Sequence, residues 1–501
     1  MADIVRVPPS PAILGELKKG PPLRSRAVFL SAVFLLASLS AACGILRKPD
    51  LSRTTGIASI RKPGRPLILI HGFLGSKLRD PRTHKVAWGT MANVLTGGDT
   101  DDLALPLTPD GAGAAGENLE AFEVYGNLWG VDYYRKILGS LSQAGGYQIG
   151  DIDNPKPGDN AFVFVYDWRK DNVESARLLA RAIERLKSAM GSPGERFDIL
   201  AHSQGGLIAR YYIKYGGAEL PEGTNEPAPT MAGAASVNQV IMLGTPNQGC
   251  LEALKILHVG VKKVFRPMRP EVIFTMPSVY QMLPPRGALL FADAEGRPMP
   301  LDLYDPQTWV REGWSVFSQE ARARLRKRSK GRGESAAVAA VNAELSREFL
   351  GRQLARADLF HRALDAPTPA ASDVSYFAFG SDCISTLKSA IVTTDRGRPE
   401  ILFDRKRFRA EKDAQRVAKI LYGPGDGTVL MQSLLGIGEN ETRRPSSTDS
   451  GPVHFDSAFF VCENHGLLPN DPIFQNNLFY LLLWPQDRRA PSALVQADTS
   501  F

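Results

Sequence analysis

The segment Ala201-His202-Ser203-Gln204-Gly205-Gly206 holds a serine with small residues two positions before and two after it. It follows an apolar run, Phe197-Asp-Ile-Leu200, and precedes a helical pattern from Leu207 to Tyr215. A serine at a tight strand-to-helix turn holds its Oγ above the sheet edge, and small neighbours let strand and helix approach each other. Position 201, commonly glycine in such turns, is alanine here, which is still small. A serine that merely caps the helix is the plain alternative. The strand–turn–helix setting favours Ser203 as a nucleophile.

A serine hydroxyl is a poor nucleophile without a base, so a histidine oriented by a carboxylate must lie elsewhere. With this turn the expected chain order is serine, acid, histidine. Downstream of Ser203 lie His258, His361, His454 and His465. The first two fall where the strand–helix rhythm breaks. His454 precedes the apolar run Ala458 to Val461 and would point from its wrong end, which leaves it the runner-up. His465, in Glu463-Asn-His-Gly-Leu-Leu468, follows that run in a loop leading to the last helix, where the base belongs. Two acids compete. Asp426 sits in the Gly-rich turn Gly423-Pro-Gly-Asp-Gly-Thr-Val429, which presents a carboxylate without steric cost. Asp382 comes directly after a strand-like run, in Phe379-Gly-Ser-Asp382. Turn chemistry favours Asp426, whereas strand position favours Asp382. An oxyanion needs two backbone donors. The amide of Gln204 follows the nucleophile, and the amide of Phe73 lies in the turn His71-Gly72-Phe73-Leu74-Gly75 after the first strand.

The elements that must position these groups are short apolar runs: Leu67 to Ile70, Ala161 to Tyr166, Phe197 to Leu200, Val237 to Leu243 and Tyr376 to Phe379. Helical spacing at Ala176, Leu179, Ala180, Ile183 and Leu186 falls between two of them. Strands alternating with helices predict an α/β class, a doubly wound and mostly parallel sheet. From Cys250 to about Ser372 the alternation stops, and the segment reads as an inserted cap or lid. Within it Leu251, Leu254, Leu257, Val261, Val264 and Phe265 form a stripe interleaved with Lys255, Lys262 and Lys263. That pattern fits a cap helix on the core or a basic amphipathic lid. Basic residues from Arg322 to Arg332 read as a solvated helix end, with a membrane-touching patch as the second reading. The expected organisation is an N-terminal segment over 1–42, a linker over 43–65, and a core in two parts, 66–250 and 373–486. The cap at 251–372 and a tail at 487–501 complete it.

With 43% hydrophobic and 23% charged residues over 501 positions, the chain has ample material for a large core. A net charge of +7 is mild, suits anionic surfaces weakly, and comes with no nucleic-acid signature. Lys18, Lys19, Arg24 and Arg26 precede an apolar run, Ala27 to Ala42, that ends in Ser40-Ala-Ala-Cys43. This describes an export signal. Small residues before cysteine resemble the lipobox of bacterial lipoproteins, with Cys43 the lipidated residue, although Ser40 stands where leucine is favoured. An uncleaved anchor over Ala27 to Leu46 and an ordinary cleaved signal are the rivals. Each places the body outside the cytoplasm, in or beyond a bacterial cell envelope. Cys250, Cys383 and Cys462 allow at most one disulfide, and their spacing fits no zinc site. Asp99, Asp101 and Asp102 read as a solvated acidic loop rather than a calcium loop.

Several motifs occur in order: His71-Gly-Phe-Leu-Gly-Ser-Lys-Leu78, Tyr166-Asp-Trp-Arg169, Ala201-His-Ser-Gln-Gly-Gly206, Gly244-Thr-Pro-Asn-Gln-Gly249, Pro277-Ser-Val-Tyr-Gln-Met-Leu-Pro284 and Gly425-Asp-Gly-Thr-Val429. Together, from about Pro66 to Trp484, they resemble the lecithin:cholesterol acyltransferase and lysosomal phospholipase A2 family. The resemblance implies an α/β-hydrolase fold with a cap and lid, a membrane glycerolipid ester as substrate, an acyl-serine intermediate and no cofactor or metal. It assigns Ser203 as nucleophile, Asp426 rather than Asp382 as acid, His465 as base, and the Phe73 and Gln204 amides as oxyanion donors. Animal members bracket an early loop with a cysteine pair, whereas this chain has no cysteine between Cys43 and Cys250. Within enzymes the alternative is a triacylglycerol lipase or carboxylesterase. From another class, the alternative is a non-catalytic lipid-binding envelope lipoprotein, against which an intact Ser, Asp and His in order argues.

Overall fold

A computed structural model describes residues 62–90, 100–107, 117–125, 127–128, 131–220, 227–261, 267–331, 336–368, 373–408, 410–437 and 453–483. Cys43, the segments 1–42 and 487–501, most of 43–65, Asp99 and residues 262–266 lie outside them.

The strands in chain order are β1 (Leu67–Ile70), β2 (Ser76–Arg79), β3 (Val86–Trp88), β4 (Glu120–Val124), β5 (Asn127–Leu128), β6 (Val131–Asp132), β7 (Ile149–Gly150), β8 (Ala161–Phe164), β9 (Phe197–His202) and β10 (Val237–Leu243). After them come β11 (Phe291–Ala292), β12 (Ser375–Gly380), β13 (Ile384–Leu387), β14 (Ala390–Asp395), β15 (Arg398–Leu402), β16 (Tyr422–Gly425) and β17 (Ser457–Phe460). Seven of them make the central sheet, in the order β17-β12-β10-β9-β1-β8-β7. Every pairing in it is parallel. After β8 the chain crosses β1 to form β9 on its other side. Crevices form at such reversals, beyond the carboxyl ends of the strands.

Both faces of the sheet are covered, which is why its strands read as continuous apolar runs rather than alternating ones. Ile68 and Ile70 pack with residues of α2 (Asn172–Ala189) and α3 (Gln204–Tyr215). Leu67 and Leu69 pack into a second cluster with Ile137 and Leu141 of α1 (Arg135–Gln143) and Phe474 and Leu478 of the last helix (Pro472–Leu483). Each such fully buried aliphatic side chain contributes roughly 1.5–3 kcal/mol. The second expected run, Ala161 to Tyr166, stops at Phe164, because the Tyr166 side chain turns back to hydrogen-bond the β1 turn.

Between β10 and β12 no described residue adds a strand to the central sheet. Helices α4 (Leu251–Val259), α5 (Pro270–Ile273), α6 (Pro277–Tyr280), α7 (Pro306–Arg311), α8 (Gln319–Gly331) and α9 (Ala336–Asp365) occupy this stretch. Leu254 and Leu257 of α4 are fully buried, so this part of the Leu251 stripe packs on the core. Three strands, β11, β14 and β15, form a small sheet joining the segment before β12 to the one after it. Among the bonds that fasten helix α9 are two sets to α2 and α3. Arg356 pairs with Asp171, the side-chain N-cap of α2, and Arg210 and Lys214 of α3 donate to the carbonyl of Leu364, 2.8 and 2.5 Å away. Cations at a helix C-terminus satisfy its unpaired carbonyls and its dipole.

Cys383 and Cys462 form a disulfide between the segments that leave β12 and β17, and Cys250 is a buried free thiol. Among the described residues no helix is long and apolar enough to cross a membrane.

Candidate active site

Ser203 occupies the turn between β9 and α3 with φ 55° and ψ −124°, a conformation side chains rarely adopt. The close approach of helix to strand explains the small residue after it. A methyl group at Gly205 would lie 2.7 Å from the carbonyl oxygens of Ile70 and His71. Ala201 is fully buried, and its size suffices there.

His465 lies beyond β17, as expected from the order of the chain. Its Nε2 is 2.9 Å from Ser203 Oγ, and its Nδ1 is 2.7 Å from Asp426 Oδ2. The carboxylate accepts only, so Nδ1 carries the proton and Nε2 is left to accept from the serine hydroxyl. Asp426 follows β16, and its other oxygen accepts from the amides of Thr428 and Val429 at 2.9 and 2.7 Å. Burial pushes the Asp426 carboxyl up, but the His465 imidazole and those amides outweigh it and hold the group below its ordinary range. Backbone bonds fix the pair as well: the His465 amide donates to the Asp426 carbonyl at 2.9 Å. The competitors stand apart. Asp382 and His454 are exposed, His258 accepts from the Ser315 amide at 3.1 Å, and His361 is buried in α9.

Gly244, after β10, has φ +59° and lies against this pair. A methyl group there would be 3.0 Å from both Asp426 Oδ2 and His465 Nδ1. The loop it opens is bound to the helix that follows Asp426, α11 (Met431–Leu435), once α10 (Glu411–Leu421) is counted. Ser433 Oγ donates to the Gly249 carbonyl at 2.6 Å, and Asn247 Nδ2 to the Leu434 carbonyl at 2.6 Å.

The β1 turn is held by the Tyr166-Asp-Trp-Arg169 segment. His71 stacks on Tyr166 at 4.2 Å, and the Tyr166 hydroxyl donates to the His71 carbonyl at 2.8 Å. Burial lowers the pKa of the His71 imidazole to about 4, so it stays uncharged in this turn near neutral pH. Ser76 Oγ donates to the Tyr166 carbonyl at 2.8 Å, and Trp168 Nε1 to the Ser76 carbonyl at 3.1 Å. Arg169 pairs with Asp167 through two bonds, 2.9 and 2.6 Å, and reaches the Leu103 carbonyl at 2.9 Å. The Gln204 side chain donates to the Trp168 carbonyl at 3.2 Å, tying the elbow to the same segment. Ser278 of α6 donates to that carbonyl too, at 2.6 Å. The separate sequence motifs are therefore each other's partners. The amides of Phe73 and Gln204 donate to no described group, which leaves both available to an oxyanion.

Sequence reasoning missed Tyr134 and the side chain of His202. The Tyr134 hydroxyl is 2.7 Å from His202 Nδ1 and accepts from the Gly72 amide at 2.9 Å, while His202 Nε2 is 3.1 Å from the His465 carbonyl. His202 was visible as the neighbour of Ser203. Tyr134 carried no motif, so its role had no signal in the chain. Asp101, expected in a solvated loop, is paired with Arg269, and among the described residues no cluster is arranged to hold a metal ion.

Comparison with known proteins agrees with this architecture. A model of the lecithin:cholesterol acyltransferase family matches residues 123–320, a span that includes Ser203. The uncharacterized protein YJR098C of Saccharomyces cerevisiae is 23% identical over 269 residues, 51% of this chain. The match spans only about a third, 34%, of that relative. Among solved structures, a chain of the Tle4–Tli4 complex aligns with TM-score 0.50 at 15% identity, covering 83% of this chain and 97% of that one. Bacillus licheniformis lipase BlEst2 in its propeptide form aligns with TM-score 0.33 at 12% identity over 85% of this chain and 51% of that one. An all-parallel seven-stranded sheet with an elbow serine at its carboxyl edge gives the chain an α/β-hydrolase fold, and over residues 123–320 it is similar to the lecithin:cholesterol acyltransferase family.

Proposed function

We propose that this protein is a serine-dependent hydrolase or acyltransferase of membrane glycerolipid esters, working through an acyl-Ser203 intermediate. The observation that carries the reading is the continuous contact from Asp426 Oδ2 to His465 Nδ1 at 2.7 Å and from His465 Nε2 to Ser203 Oγ at 2.9 Å. Ser203 Oγ attacks the ester carbonyl carbon while its proton passes to His465 Nε2. The carbonyl oxygen takes the negative charge and is held by the Phe73 and Gln204 amides. When the tetrahedral species collapses, the bond to the alcohol oxygen breaks and His465 returns its proton to that oxygen. Water, or a second alcohol, then attacks the acyl-serine with His465 as base, and Ser203 is released with its proton restored. Asp426 stays ionised and steadies the imidazolium.

The similarity of residues 123–320 to the lecithin:cholesterol acyltransferase family favours a lipid ester as substrate. The body of the protein is proposed to lie outside the cytoplasm, tethered through a lipidated Cys43 or the apolar run that precedes it. A disulfide persists in oxidising compartments, and the Cys383–Cys462 bond supports that placement. The deciding experiment is mass spectrometry of products from mixed phospholipid vesicles, with and without a sterol acceptor, for the full chain and Ser203→Ala. Free fatty acid and lysolipid point to hydrolysis, and a sterol ester points to transfer. Cleavage of triacylglycerol alone would replace the phospholipid reading with that of a lipase. A folded wild-type chain that no fluorophosphonate probe labels would overturn the enzyme reading.

A further inference from the structure

We propose that Tyr134 and His202 are positioning residues for the reaction, one buried hydrogen-bonded chain that sets the oxyanion turn, the nucleophile and the base relative to one another. The inference rests on the serine-hydrolase reading above. The direction of each bond follows from its partners. His202 Nε2 faces the carbonyl oxygen of His465 at 3.1 Å, an acceptor only, so Nε2 carries the hydrogen. In the neutral ring Nδ1 is then a bare acceptor, and the Tyr134 hydroxyl 2.7 Å away must donate to it. That oxygen keeps a lone pair for the Gly72 amide, which donates at 2.9 Å. The chain runs one way: Gly72 N–H to Tyr134, Tyr134 O–H to His202, and His202 N–H to the backbone of His465.

Each end meets a group the chemistry needs. Engaging the Gly72 amide fixes the peptide before Phe73, so the next amide is the one left to face an oxyanion. Holding the His465 carbonyl sets the height of the imidazole whose Nε2 lies 2.9 Å from Ser203 Oγ. The middle member, His202, directly precedes Ser203 in the chain. Three loops that leave different strands, after β1, β9 and β17, are thus tied through two side chains. The pair suits this task because neither member changes charge near neutral pH. Burial, with His465 adding to it, lowers His202 to about 3, and burial raises the Tyr134 phenol above its ordinary value. A charged His202 ring, its centroid 5.0 Å from that of His465, would oppose the imidazolium formed in the reaction.

The test compares wild type, Tyr134→Phe, His202→Asn and the double variant on a soluble short-chain ester and its thionoester, together with fluorophosphonate labelling and thermal melts. Tyr134→Phe keeps the ring but removes both hydrogen bonds. Its kcat should fall about tenfold or more with KM little changed, because alignment acts on the transition state. The preference for ester over thionoester should shrink as well, since sulfur fits an oxyanion site poorly and the preference depends on that site being in place. A purely structural role would lower both rates in proportion to the folded fraction and leave the ratio untouched. His202→Asn should also lower kcat, and the double variant should be no worse than the worse single, as expected for one coupled unit. Wild-type kcat and ratio in Tyr134→Phe, or additive losses that track the melting temperature, would overturn the proposal. If the wild-type chain itself neither labels nor turns over ester, the hydrolase reading fails, and the positioning role fails with it.

Discussion

Replacing Gly244 by alanine probes a position of the site that constrains both backbone conformation and space. The residue has φ +59°, and its amide donates to the Phe379 carbonyl at 2.8 Å, so the backbone cannot retreat. A side chain at such φ costs about 1–2 kcal/mol by itself. The added methyl would also stand 3.0 Å from Asp426 Oδ2 and 3.0 Å from His465 Nδ1, closer than ordinary contact. Asp426 is held by the Thr428 and Val429 amides, so the imidazole is the partner that moves, and it moves relative to Ser203 Oγ. Displacement by a fraction of an ångström should cost roughly tenfold to a hundredfold in turnover, or about 1.4–2.7 kcal/mol of barrier. The assay is the rate of fluorophosphonate labelling and of soluble-ester hydrolysis per folded enzyme, with the melting temperature measured in parallel. Gly191→Ala is the control. It has φ +63° and nothing within 4 Å, so it should share the backbone cost and keep full activity. Labelling of Gly244→Ala at the wild-type rate would refute the reasoning, as would an equal loss in Gly191→Ala.

Three further outcomes follow from the site and its supports. Burial lowers His71 and His258 to about 4 and His202 to about 3, so the unfolded chain, titrating near 6.5, binds these protons first. Stability is therefore full above pH 6.5 and drains as pH falls towards these values. At pH 5, about 1.5 units below the ordinary value, the loss is about 2 kcal/mol per histidine. Asp426, held below its ordinary range, adds a loss at still lower pH as it is protonated. A urea midpoint that does not fall between pH 7 and pH 5 would contradict this. Asp426→Asn should cut kcat by about a thousandfold or more by mis-setting the His465 tautomer, whereas Asp382→Asn, exposed and away from the base, should leave it unchanged. The Cys383–Cys462 bond closes a loop of 79 residues, and Cys462→Ser should cost about 4 kcal/mol in a denaturation titration. Activity should fall too, because Cys462 stands three residues before the base.

Much of the fold and the candidate site was legible because the signals are local. β10 was read from Val237 to Leu243 and forms over those residues. The elbow was read from small residues around a serine between a strand and a helix, and Ser203 has the strained φ that such a turn imposes. Illegible features had no local signal. Helix α9 spans 30 residues, yet its charged positions interrupt the apolar spacing, and its anchors come from α3 and from Asp171. The strands β13 to β16 are short, and their pairings were not apparent before the cap and core met.

The amino-acid sequence by itself determined the parallel sheet, the candidate nucleophile and the short menu of candidate acids and bases, because hydrophobic period, turn chemistry and chain order are properties of neighbours along the chain. Strand position and turn chemistry left Asp382 and Asp426 in competition, the family resemblance implied Asp426, and the tertiary structure brings that carboxylate against His465. Asp382 and Asp426 both follow strands, but β16 and the turn after it bring Asp426 against His465, while Asp382 points to solvent. It also placed Tyr134 between Gly72 and His202, groups separated by 62 and 68 residues from it. Those bonds form only once folding brings the start of α1 against the turn after β1 and the end of β9, and no pattern along the chain encodes the distance between them.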